Sequence, residues 1–161
     1  MSIVKTADIH DAAPELVVVC DLQFRSFGKI ASFGGPCVTV KTYESHHELK
    51  EIVARPGQGC VLVIDGGASA RVGLMGDGMA ALAAKNGWSG AIIYGAIRDS
   101  EEINALDFGV KALFTTCRRS DEKAGCTEGG RLSFGNAIFR PGDWVYADTD
   151  AVLVRKDKFG E

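Results

Sequence analysis

Twenty glycines in 161 residues, set between short apolar runs, constrain this chain more than any other feature. A backbone that turns so often reads as short strands joined by tight turns. Strands are expected at Gly35–Thr42, Gly59–Asp65, Ala70–Leu74, Gly90–Tyr94, Val110–Thr115, Arg131–Phe134, Ala137–Phe139, Trp144–Ala147 and Ala151–Val154. Helical patterns occupy Ser45–Arg55, Asp77–Asn86 and Asp99–Leu106, with a weaker one at Thr6–Ala13. The first of these stops before Pro56-Gly57, a pair that a helix does not continue through. The middle of the chain therefore alternates strands with helices, and the last third reads as hairpins turned at Phe134-Gly135-Asn136 and Pro141-Gly142-Asp143. The expectation is an α/β fold over residues 1–161, a single domain with a central mixed sheet and C-terminal hairpins, long enough to bury a core without disulfides or structural metal.

Charge and cysteine usage narrow the function classes. The formal net charge is −3 and the basic residues are dispersed apart from Arg118-Arg119, which leaves no electrostatic footprint for direct nucleic-acid binding. Cys20, Cys37, Cys60, Cys117 and Cys126 form an odd set without a CxxC pair. They read as reduced, mostly buried thiols, which fits a cytoplasmic protein and not a structural zinc site. The start, from Met1 to His10, lacks the basic and apolar regions of a signal peptide. Apolar runs such as Leu16–Cys20 and Cys60–Ile64 are strand-length, so no membrane partner is expected.

Two segments carry chemistry. In Gly76-Asp77-Gly78-Met79, Asp77 suits an N-cap, the following alanines and Leu82 favour a helix, and Gly87 suits the left-handed position after its end. The first amides of such a helix lack intrahelical partners and sit at the positive end of its dipole, so a small carboxylate could dock at Gly76–Met79; equally, Asp77 could merely cap and the glycines merely turn. The second segment is the apolar strand from Gly90 that runs into Arg98-Asp99. Asp99 could cap the next helix in a capping box with Glu102. It could also bind Mg²⁺, a hard cation that takes one or two carboxylates and keeps several waters, with Asp77 assisting through water. Arg98 offers a planar fork for a substrate carboxylate. Together these groups could hold an α-keto acid and stabilise its enolate.

Several runs, among them Val61-Leu-Val-Ile-Asp65-Gly-Gly67, Ala84-Lys-Asn-Gly-Trp88-Ser-Gly90, Ile93-Tyr-Gly95-Ala-Ile-Arg98 and Phe139-Arg-Pro-Gly-Asp143-Trp-Val-Tyr-Ala-Asp148, resemble the family named for the regulator of ribonuclease activity A, over nearly the whole chain. The resemblance implies a swivelling β/β/α fold assembled as a ring-shaped homotrimer, with the site near the subunit boundary. Members that are class II aldolases for 4-hydroxy-4-methyl-2-oxoglutarate carry an Asp followed, after twenty residues, by Arg-Asp, and here Asp77 is so followed by Arg98-Asp99. Members that regulate ribonucleases lack the acidic residue after the arginine. The resemblance thus implies a metal (Mg²⁺, Mn²⁺ or another divalent cation) on Asp99 and Asp77, a keto-acid substrate against Gly76, Asp77, Gly78, Met79 and Arg98, and catalysis by Arg98 and Asp77. Pyruvate release and an oxaloacetate decarboxylase side activity follow from that chemistry; the alternative is a non-catalytic regulator that binds a ribonuclease. One departure is that longer family aldolases add an acidic residue from a neighbouring subunit's C-terminal extension, where this chain runs only through Val154-Arg-Lys-Asp-Lys158 to Glu161.

Other chemistry-bearing residues are set aside. His46 and His47 read as a solvated pair at a helix start with no third metal ligand at matching spacing, and His10 as structural. Lys85, beside Asn86-Gly87, is poorly placed for the desolvation a Schiff-base lysine needs. Cys117 and Cys126 flank a polar loop, Asp148 and Asp150 suit a turn, and Trp88 and Trp144 suit core or interface positions.

Overall fold

The longest strand, β3 (Phe33–Lys41), carries Pro36 near its middle, and its two halves pair along the main sheet with different neighbours. Phe33–Pro36 pair antiparallel with β10 (Trp144–Ala147), and Cys37–Lys41 pair parallel with β4 (Val61–Asp65). A computed structural model describes residues 5–121 and 123–161 of the chain. Residues 1–4, the beginning of the Met1–His10 start that was read for an export signal, and Glu122 lie outside the described residues.

Around β3 the main sheet runs β1 (Val17–Val19), β11 (Val152–Arg155), β10, β3, β4, β5 (Gly90–Ile97), β6 (Val110–Thr115) and β2 (Arg25–Phe27), while β7 (Thr127–Glu128) adds to β3 off this path. From β3 to β6 the neighbours are parallel, and toward both edges they are antiparallel. Strands β8 (Leu132–Phe134) and β9 (Ala137–Phe139) form a separate ribbon. Its two-residue turn places Gly135 and Asn136 at φ 59° and 61°, as a type I′ turn requires. The turn at Pro141-Gly142 is not a hairpin turn as expected. It holds Gly142 at φ 88° and passes the chain from the ribbon into the main sheet.

Both faces of β4 are covered, so all five of its residues are buried and its apolar run does not alternate. Leu62 and Ile64 meet the helical side, where α2 (Leu49–Ala54) contributes Leu49, Ile52 and Val53, α3 (Asp77–Lys85) contributes Met79, Ala80 and Ala83, and α4 (Ser100–Asn104) contributes Ile103. Val61 and Val63 meet the ribbon side. There Phe134 stacks between Tyr94 and Phe139, with both centroid distances 4.7 Å. A third, smaller cluster seats α1 (Thr6–Ala12) through Ile9 against Val17, Tyr146 and Leu153. Residues 156–161 turn back over this end, where Lys158 lies 5.5 Å from the Trp144 ring and the Phe159 amide donates to the Tyr146 hydroxyl at 2.9 Å.

Three further differences from the sequence reading have physical causes. Ala70–Leu74 is not a strand: Gly73 makes one bridge to Ala96 but its amide donates to Arg118 O, so the segment is clamped between β5 and the chain after β6. The second helix begins at Leu49 rather than Ser45, because Ser45 O accepts from the Thr42 hydroxyl and Ser45 Oγ donates to Ala124 O, tying those residues into a loop. Strands β1, β2 and β7 were not anticipated; each is two or three residues long, too short for an alternation to register. No helix among the described residues is long and apolar enough to cross a membrane.

Candidate active site at the carboxyl ends of the parallel strands

Strands β3, β4, β5 and β6 all end at the same side of the sheet, the place where α/β folds collect ligands. The chain leaving β3 supplies His46, that leaving β4 supplies Gly73, Leu74, Gly76, Asp77 and Met79, that leaving β5 supplies Arg98 and Asp99, and that leaving β6 supplies Arg119. Together with Lys50 of α2, these residues line a cleft of about 150 Å³. The sequence-expected Gly76, Asp77, Met79, Arg98 and Asp99 all reach it. Gly78 lies in the adjoining exposed turn of α3, with nothing within 4 Å of where a Cβ would stand.

Helix α3 explains the shape of one wall. Its N-cap is Gly76, not Asp77: the first helical bond runs from the Ala80 amide to Gly76 O at 3.0 Å. The amides of Asp77, Gly78 and Met79 therefore precede the ladder. Carboxylates already occupy two of them, since Asp77 N–H donates to Asp99 Oδ2 at 3.3 Å and Gly78 N–H donates to Asp77 Oδ1 at 2.8 Å. The far end closes in a Schellman motif, with the Gly87 amide donating to Ala84 O, the Trp88 amide to Ala83 O, and Gly87 at φ 82°. Lys85 lies at that exposed end, remote from the cleft wall that the α3 N-terminus forms.

Asp99 does not build the capping box with Glu102. It stands at the start of α4 at φ 57°, ψ 40° and makes no side-chain cap there. Side-chain capping goes with an extended N-cap backbone; the left-handed conformation sends this carboxylate instead to α3. A non-glycine residue held in that region costs about 1–2 kcal/mol, and such strain gathers at functional sites. Gly76 makes room for it, because a Cβ there would fall 2.7 Å from Asp99 Oδ2. Gly73 does the same for Arg98, whose Cγ would be 2.8 Å from a Cβ at position 73. Arg98 Nε and Asp99 Oδ2 are 3.6 Å apart and both side chains are about one-third exposed, 32% and 31%. That is a loose ion pair with capacity left on both partners.

Asp77 and Asp99 give the cleft two carboxylates, and among the described residues no group of three or more His, Cys, Asp or Glu side chains converges as metal ligands. Such a donor set fits a hard divalent cation that keeps several waters and does not fit a closed zinc cage.

Sequence reasoning missed Gly73, Lys50 and Arg119, and placed His46 in solvent. His46 is half-buried at the cleft wall; burial, then Lys50, Arg119, Arg98 and His47, lower its pKa. The Arg118-Arg119 pair was visible as a local basic cluster, but its position after β6 was not. Cys37 is buried with its thiol pushed up to about 12, by burial first and the nearby Asp143 second, and Cys126 up to about 11, by burial first and then Glu48; Cys117 is exposed.

Residues 6–154 match the model of the RraA-like family, described as Aldolase/RraA. A protein of Hahella chejuensis (strain KCTC 2396), provisionally named 4-hydroxy-4-methyl-2-oxoglutarate aldolase, is 46% identical over 149 residues, 92% of this chain and 91% of that one. One from Alkalilimnicola ehrlichii (strain ATCC BAA-1101 / DSM 17681 / MLHE-1) with the same provisional name is 40% identical over 96% of both chains. Among solved structures, an S-adenosylmethionine:2-dimethylmenaquinone methyltransferase from Geobacillus kaustophilus HTA426 superposes with a TM-score of 0.94 at 39% identity, covering 97% of both chains. The RNA-processing inhibitor RraA from Thermus thermophilis superposes at 0.92 with 31% identity, covering 98% of this chain and 94% of that one.

Proposed function

The chain belongs to the RraA-like family, and on that premise we propose that it is a class II, divalent-metal-dependent lyase. Its substrate in this reading is 4-hydroxy-4-methyl-2-oxoglutarate or a related 4-hydroxy-2-oxo diacid, cleaved to pyruvate. The observation that carries the reading is Asp99, turned away from its own helix so that its carboxylate stands with Asp77 and Arg98 in one cleft. The names of the Hahella and Alkalilimnicola relatives agree with it.

Mg²⁺ or Mn²⁺ held by Asp99, with Asp77 reaching it through water, would polarise the substrate keto oxygen and steady the charge that develops there. The residues of the chain supply the rest. The Arg98 guanidinium grips the carboxylate next to the keto group in a bidentate fork. Along Gly76–Met79 the Asp77 and Gly78 amides already serve carboxylates, so the Met79 amide is the donor that the positive end of the helix adds. Asp77, exposed at the cleft edge, takes the proton of the C4 hydroxyl by way of a water. The C3–C4 bonding pair then moves into the enolate of pyruvate while C4 becomes the carbonyl of the second product, and protonation at C3 completes the first. Oxaloacetate enters the same scheme by losing carbon dioxide to give the same enolate, so decarboxylation is its expected side reaction. In this reading the protein works as a homotrimer with the cleft near the subunit boundary.

The second reading, a non-catalytic protein that regulates RNA-degrading machinery, is favoured by the likeness to the Thermus thermophilis inhibitor. A coupled assay for pyruvate separates the two. The lyase reading expects release from 4-hydroxy-4-methyl-2-oxoglutarate and from oxaloacetate that chelation abolishes and Mg²⁺ restores. Absence of release from both substrates at saturating Mg²⁺ would favour the regulator.

A further inference from the structure

The catalytic groups account for one end of the substrate only: its first carboxylate, keto oxygen and C4 hydroxyl. Beyond Arg98 the cleft opens into a second hollow of about 230 Å³, and His46, Lys50 and Arg119 line both. Lys50 stands in the first turn of α2 and Arg119 in the chain after β6, so two separate elements bring cations to one opening. Neither has a carboxylate within 4.0 Å among the described residues, unlike Arg55 and Arg71, which pair with Glu128 and Glu44. Once a divalent ion offsets Asp77 and Asp99, the carboxylate left in the two hollows among the described residues is Asp121, which shares their lining with Lys50, Arg98, Arg119 and Lys123.

The half-buried His46 lies between them, and its Nδ1 is buried without a hydrogen-bond partner among the described residues. The groups named above as acting on its charge, Lys50, Arg119, Arg98 and His47, are all basic. A cleft wall with cations that no carboxylate pairs is matched by an anionic ligand rather than an apolar one.

Building on the lyase reading, we propose that Lys50 and Arg119 bind the far carboxylate of the diacid, at C5, with His46 bordering that subsite, and that this contact makes the enzyme select dianionic over monoanionic 2-oxo acids. With Arg98 at one end and Lys50 and Arg119 at the other, the substrate is held by both carboxylates, which aligns the C3–C4 bond over the site. Selection follows because a monoacid leaves the two cations facing an alkyl group and forfeits charge-assisted hydrogen bonds.

The test compares 2-oxoglutarate with 2-oxopentanoate, which differ in the distal carboxylate, by calorimetric titration of the full-length protein in Mg²⁺. Wild type, Lys50→Met, Arg119→Gln and the double variant are titrated. The same proteins are assayed for pyruvate from 4-hydroxy-4-methyl-2-oxoglutarate and from 4-hydroxy-2-oxopentanoate. Both positions are exposed, and circular dichroism checks that each variant is folded. Wild type should prefer the dianion roughly 10- to 100-fold in affinity and in kcat/KM, and the double variant should reduce that ratio to within about threefold of unity. A ratio near unity in wild type, or equal losses on diacid and monoacid, would overturn the subsite. If the protein binds dianions selectively and loses this in the double variant but releases no pyruvate, the lyase reading fails while the subsite stands. If it binds neither acid, the subsite fails.

Discussion

The backbone amide of Asp77 donates to Asp99 Oδ2 at 3.3 Å, so two carboxylate residues that lie twenty-two positions apart in the sequence meet at the first turn of α3. The contact requires Asp99 in the left-handed region and a glycine at position 76.

Gly76→Ala should therefore damage the site more than the fold. Gly76 is extended, at φ −108°, ψ −176°, a conformation alanine adopts freely. The loss of stability should be about 1 kcal/mol or less, in line with changes at an N-cap. The new Cβ would displace Asp99 Oδ2, and a shift of that kind in a positioned group costs on the order of 100-fold in rate. Thermal denaturation beside pyruvate-release kinetics checks both halves.

Asp99→Gly and Asp99→Ala should both be inactive yet differ in stability. Glycine accepts φ 57° without a Cβ clash and alanine does not, so the glycine variant should be more stable than the alanine variant by about 1 kcal/mol. Urea denaturation of the pair reads this directly; equal midpoints would mean that the backbone at this position is not held in the left-handed region.

Gly73→Ala should act through Arg98. The added carbon would stand 2.8 Å from Arg98 Cγ and 3.0 Å from its backbone nitrogen, so the guanidinium must move. The expected result is a KM for the keto acid raised roughly 10-fold or more with kcat less affected, the signature of lost ground-state binding. Arg98→Lys keeps the charge but not the fork and should also raise KM.

Acid should weaken the fold in part through Asp148, which sits far from the cleft. Its carboxylate accepts from the Thr6 amide and hydroxyl and from the amides of Asp150 and Ala151. Burial pushes its pKa up, but these hydrogen bonds together hold it below the usual value. The unfolded chain therefore takes up the proton first as pH falls. The stability from this group is complete above an ordinary carboxylate pKa of about 4 and is lost as pH drops through the lower folded value. Asp148→Asn should cost about 1–3 kcal/mol at neutral pH and flatten the dependence of urea midpoints between pH 5 and pH 3 relative to wild type.

Much of this was legible before the fold was known, and the exceptions have a common cause. Gly87 after the helix, the Phe134–Ala137 hairpin and the buried run of β4 are local signals, readable because turn chemistry and apolar patterning act over a few residues. The candidate residues Gly76, Asp77, Met79, Arg98 and Asp99 were named on the same basis, and they share one cleft. The sequence did not reveal that Asp99 would abandon its own helix, because both a capping box and a ligand need the same Asp at that position, and only contact with α3 separates them. It could not place Lys50 or Arg119 either. Each is an ordinary surface cation by its neighbours, and the two meet only because β3 and β6 end on the same side of the sheet. His46 was misplaced for the same reason.

The central claim is that Asp99 makes the cleft a metal-dependent site for enolate chemistry. The most direct measurement is the initial rate of pyruvate release from 4-hydroxy-4-methyl-2-oxoglutarate as Mg²⁺ is added back to chelated protein, for wild type and for Asp99→Gly. Saturable activation of wild type, with no activation of the folded variant at any Mg²⁺ concentration, is the predicted result. Equal pyruvate release by both proteins, or release by wild type that is indifferent to Mg²⁺, would contradict it.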